Sequence, residues 1–198
     1  MNILLLDGLP EEYEGIPIST DFRNMIQADL ILSDPDIGKS EKIYCALDQL
    51  YPEIPADINK AVEGLMWFFR RGNQEEISKS SKKAFDFDQD AGLIFAAFYA
   101  TYGISLTTID YLHWWEFMAL FEGLPETTLI QRAIYYRTAD FGDMGKEERK
   151  RALKIRQAFE IKSKQKKLSR EDLDRQTINN VQQRFAEARR KAGLLNLG

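Results

Sequence analysis

A mainly α-helical fold is predicted, a helical bundle-like body with a short N-terminal β-hairpin and a charged C-terminal helical extension. Three observations point to it. Apolar residues recur at three- and four-residue spacing from about residue 20 onward. Capping residues and glycine or proline stops fall between those runs. Charge is split along the chain: residues 146–198 hold 16 Lys+Arg against 7 Asp+Glu, and residues 1–145 hold 11 against 24. The split divides the chain into an acidic body, 1–145, and a basic extension, 146–198.

A chain of 198 residues is long enough for one self-sufficient core. The lone Cys45 excludes an internal disulfide and any multi-cysteine metal site. The N-terminus has no basic region ahead of its short apolar run, which argues against a signal peptide. The longest uncharged stretch, from Ala91 to Ile109, turns polar in its second half. It reads as a buried helix followed by a loop, not as a membrane span.

The elements follow in order. Asn2–Leu6 and Tyr13–Ile18 are expected to pair around a turn at Gly8–Pro10. Thr20 and Asp21 start a first helix with Phe22, Met25, Ile26 and Leu30 inward. Ser40 is expected to cap a second, carrying Ile43, Ala46, Leu47 and Leu50. A third places Ile58, Val62, Leu65, Met66 and Phe69 on one stripe. After a serine-rich loop, Asp88–Tyr102 forms a fourth, stopped by Gly103. Thr107–Phe121 is the fifth and Glu126–Thr138 the sixth. Lys146–Lys162 and Arg170–Lys191 are two further charged helices, the last opened by a capping box at Ser169–Asp172.

No catalytic constellation emerges, and neither cofactor nor metal is expected. His113 is the only histidine. Glu116, one turn away, could orient its ring, but a packed, locally hydrogen-bonded imidazole is the expected state. Asp34-Pro35-Asp36-Ile37-Gly38 fails as a calcium loop, because the twelfth position is Cys45 and the glycine is one residue out of place. Asp86, Asp88 and Asp90 could gather round a divalent ion, yet acids also collect where a helix begins.

The segment from Tyr111 to Phe121 is rich in aromatics, with Trp114 and Trp115 about 100° apart on a helix. Such a segment is a central core helix or, in part, an interface. Met66, Trp67, Phe69, Trp114, Trp115 and Phe117 are the candidates for an apolar partner contact. Lys162, Lys164, Lys166 and Lys167 lie in a basic run without interleaved aromatics. That run allows attraction to nucleic-acid phosphates by charge but supplies no stacking platform.

Several strings, taken together, resemble the bacteriophage "gene product fifteen" family. They are FRNMIQADLILSDPD, EKIYCALDQLYPEIP, WFFRRG, FDFDQDAGLIFAAFYATYGISL, YLHWWEFMALFEGLPETT and IQRAIYYRTAD, in that order from about Thr20 to Asp140. The resemblance implies a phage or prophage protein encoded between the major tail protein and the tape measure. It implies a tail assembly chaperone or accessory role, without established catalytic residues. The expectation is therefore a non-enzymatic protein of the host cytoplasm that binds the tape measure protein, other tail proteins or itself. The alternative is a nucleic-acid-associated phage protein acting through the basic extension.

Overall fold

The computed structural model describes residues 8–73 and 83–162. Among these are one two-stranded hairpin and seven helices: β1 (Glu12–Tyr13), β2 (Ile16–Pro17), α1 (Phe22–Ser33), α2 (Lys39–Leu50), α3 (Ile58–Phe69), α4 (Ala91–Tyr102), α5 (Trp114–Glu122), α6 (Leu129–Thr138) and α7 (Lys146–Ala158). The fold is mainly α, as the sequence predicts. No described helix is long and apolar enough to cross a membrane. The described residues fall within one compact unit, which includes α7. The helix expected over Arg170–Lys191, with its capping box, lies outside the described residues, as does Asn2–Leu6.

The hairpin overlaps the second predicted strand and begins one residue ahead of it. β1 and β2 pair antiparallel, Glu12 with Pro17 and Tyr13 with Ile16. Glu14 and Gly15 between them both have positive φ, +48° and +79°. Left-handed geometry at both central residues matches the twist of the flanking strands, so the turn of this hairpin falls there.

Helix starts follow from local donors and acceptors. Asp21 caps α1 by accepting from the Arg23 N–H, and Thr128 caps α6 by accepting from Gln131. Gly38, not Ser40, precedes α2, its carbonyl accepting from Lys42. The fourth helix begins at Ala91, later than predicted, because Asp86 Oδ1 ties the Asp88 and Gln89 N–H groups into a turn ahead of it. Gly103, left-handed at φ +68°, ends it. The predicted helix from Thr107 is shorter at its start. Leu112 accepts from the Phe22 N–H at 3.0 Å, and the Trp114 N–H donates to Thr20 at 2.8 Å. Backbone groups committed to a partner some ninety residues away cannot also close helical turns. α5 therefore opens at Trp114.

The core cluster draws on every one of these elements except α7. α1 packs on α2 and α5, α2 on α3, α4 on α5 and α6, and α6 on α7. Met25, Ala46, Leu47, Leu50, Phe68, Phe98, Phe117 and Ile130 are fully enclosed. α3 comes so close to the hairpin that a Cβ on Gly64 would stand 2.1 Å from Tyr51 Oη and 2.6 Å from the Tyr13 ring.

Candidate partner-binding cleft

The six aromatic and methionine candidates separate by burial. Trp114, Trp115 and Phe117 are 1 %, 2 % and 0 % exposed, so in this conformation none of them offers a surface to a partner. Both indoles are fixed by hydrogen bonds as well as packing. Trp114 Nε1 donates to the Phe69 carbonyl at 3.2 Å and Trp115 Nε1 to that of Phe68 at 3.0 Å. Carbonyls in the last turn of a helix have no partner within it, and the two adjacent tryptophans supply the donors for α3. Phe117 stacks between Phe22 and Phe98, with centroids 4.8 and 5.1 Å away.

His113 is the N-cap of α5. Its Nδ1 accepts from the Trp115 N–H at 3.0 Å, and its Nε2 lies 3.2 Å from the Pro10 carbonyl. That pairing fixes the tautomer, with the proton on Nε2. Burial holds the imidazole below its ordinary pKa, against the raising influence of the Pro10 carbonyl, Glu116 and Glu11. Glu116 is exposed and does not orient the ring.

The aspartates of 86–90 are engaged by the protein itself. Asp90 receives both Nη groups of Arg137. Asp86 holds Lys83 at 2.8 Å and two backbone N–H groups. Burial alone would raise the Asp86 pKa; Lys83, Gln89 and Asp88 outweigh it and hold the carboxyl below its ordinary value.

Met66, Trp67 and Phe69 reach the surface in part. Trp67 leans on Tyr13 and Trp115, its ring 5.1 and 5.5 Å from theirs, so its outer edge belongs to the hairpin side of α3. Met66 and Phe69 turn the other way. With Leu65 they form one wall of a cleft whose other wall is Met25, Ala28, Asp29 and Leu32 of α1. The cleft is about 120 Å³ in volume, close to the size that takes one aliphatic side chain or a single ring. Its lining is apolar except for Asp29, and Leu32 at its mouth is 40 % exposed. Sequence reasoning found the α3 wall and missed the α1 wall. The available signal was Leu32, an aliphatic residue off the buried stripe of its helix.

Of the basic candidates, Lys162 is held by its backbone: its N–H and carbonyl exchange hydrogen bonds with the Gln89 side-chain amide at 2.8 and 2.7 Å. Lys164, Lys166 and Lys167 lie outside the described residues.

The family model described as "Bacteriophage Gp15 protein" matches residues 5–161. No curated protein and no solved structure matches the chain.

Proposed function

This chain belongs to the bacteriophage Gp15 protein family, and from that premise we propose that it serves tail morphogenesis as a non-enzymatic chaperone or accessory factor for the tape measure protein in the host cytoplasm. The observation that carries the reading is the α1–α3 cleft. An open apolar slot between two helices accepts the apolar edge of an amphipathic helix, one anchoring side chain entering the slot. A tape measure is a long helical chain that must stay soluble before tube subunits enclose it, and its apolar side chains fit that chemistry. The acidic body keeps such a complex dispersed.

The test is co-expression of the tagged chain with the tape measure from the same phage, followed by affinity capture. Leu32→Glu and Met66→Glu place a charge in the slot from each wall. Each is expected to lower capture at least tenfold, about 1.4 kcal/mol of binding, with the far-UV circular dichroism of the free protein unchanged. Failure of the unmodified chain to retain the tape measure, or full capture by both variants, would remove this reading.

A further inference from the structure

α7 is basic and nearly unencumbered. It packs on α6 through Ala152 and Arg156, whose guanidinium donates to the Tyr136 carbonyl at 2.6 Å and lies 4.4 Å from the centre of the Phe141 ring. The other five cations, Lys146, Arg149, Lys150, Arg151 and Lys154, are exposed. None of the five makes an ion pair with a described residue. Lys146, Lys150 and Lys154 recur every fourth residue on the side away from Ala152, a row with a rise of about 6 Å per step. Glu147 and Glu148 are the only acids on the helix.

We propose that this outward face of α7 docks on the acidic body of a second copy, so that the chain associates with itself head to tail. Charge complementarity selects that occupant. Residues 1–145 carry 24 acidic against 11 basic side chains, so every copy offers the opposite sign to the α7 of the next. A nucleic acid is the competing polyanion, and nuclease treatment separates the two. Engaged head to tail rather than reciprocally, such a contact is heterologous and builds rings or open chains. A helix of this length is roughly 20 Å long. It covers less than the roughly 800 Å² per partner of a standard interface, which makes the association weak and dependent on salt and concentration. The contact is independent of the cleft.

Sedimentation velocity of the nuclease-treated full chain, over a range of protein concentrations at low and high salt, tests this. The expected result is a sedimentation coefficient that climbs with concentration at low salt and returns to the monomer value at high salt. Lys150→Glu with Lys154→Glu, or the neutral pair Lys150→Gln with Lys154→Gln should the first unfold, is expected to stay monomeric throughout. The charge-reversed variant still presents an acidic body, so added to the unmodified chain it caps growth and lowers the average mass below that of a buffer-diluted control. A monomeric unmodified chain at low salt, association undiminished in the variants, or association seen only when nuclease is omitted would each overturn the proposal.

Discussion

Arg137 closes on Asp90 as a buried fork, Nη1 and Nη2 donating to the two carboxylate oxygens at 2.6 and 2.9 Å. The same guanidinium reaches the Ala84 carbonyl through Nη1 at 3.1 Å and the Phe159 carbonyl through Nε at 2.6 Å. One side chain thereby joins the start of α4, the segment that leads into it, the body of α6 and the end of α7.

Removing one partner of a buried pair costs about 3–5 kcal/mol, because the other charge is stranded. Asp90→Asn is expected to lose that much in urea unfolding. Arg137→Met is expected to lose more, since it also orphans two carbonyls at about 1–3 kcal/mol each. Losses below about 1 kcal/mol in both would show that solvent reaches the pair.

His113 links stability to pH. Its folded pKa lies below the unfolded value of 6.5, so the unfolded chain binds a proton first as the pH falls. Stability is full above about pH 6.5 and declines as the pH drops through 6.5 toward the folded value. His113→Asn, which retains a capping acceptor, is expected to flatten the decline of the unfolding midpoint below about pH 6.5. An unchanged slope in the variant would assign it to other groups.

The contact of Gly64 with Tyr51 predicts a measurable coupling. Gly64→Ala forces a methyl group against Tyr51 Oη and the Tyr13 ring, an overpacking cost of about 1–3 kcal/mol. Tyr51 Oη donates to the Ala61 carbonyl at 3.1 Å, and burial, with a smaller contribution from Tyr13, pushes its pKa up to about 12. In a Tyr51→Phe background the alanine is expected to cost less, because the nearest atom is gone. Strict additivity in a double-mutant cycle would mean that Tyr13 alone meets the methyl group.

The parts of this fold that were legible in the sequence are those governed by near neighbours. Asp21 announces α1 and Gly103 ends α4, because cap and stop act within a few residues. The late start of α5 was not legible, since its cause is the Asp21–His113 bridge across the chain. Adjacent tryptophans tell a reader that two directions need cover, and nothing in the sequence says that carbonyls of α3 provide it. The role of Arg137 is hidden for the same reason: its carboxylate lies 47 positions away. The candidate cleft was half visible, through Met66 and Phe69, because a groove requires a second wall and only the fold decides which helix supplies it.

The bridge that delays α5 also sets a timetable for synthesis. Thr20 and Phe22 find their backbone partners only when Leu112 and Trp114 exist, and the indoles that finish α3 arrive in the same stretch. At about 5–20 residues per second, the ribosome needs roughly 5–20 s to add that intervening length. As they emerge, α1, α2 and α3 can form as helices, but the apolar side that α1 and α3 turn to α5 stays open until it arrives. Until α5 emerges, the nascent chain therefore offers that side to any other apolar surface it meets.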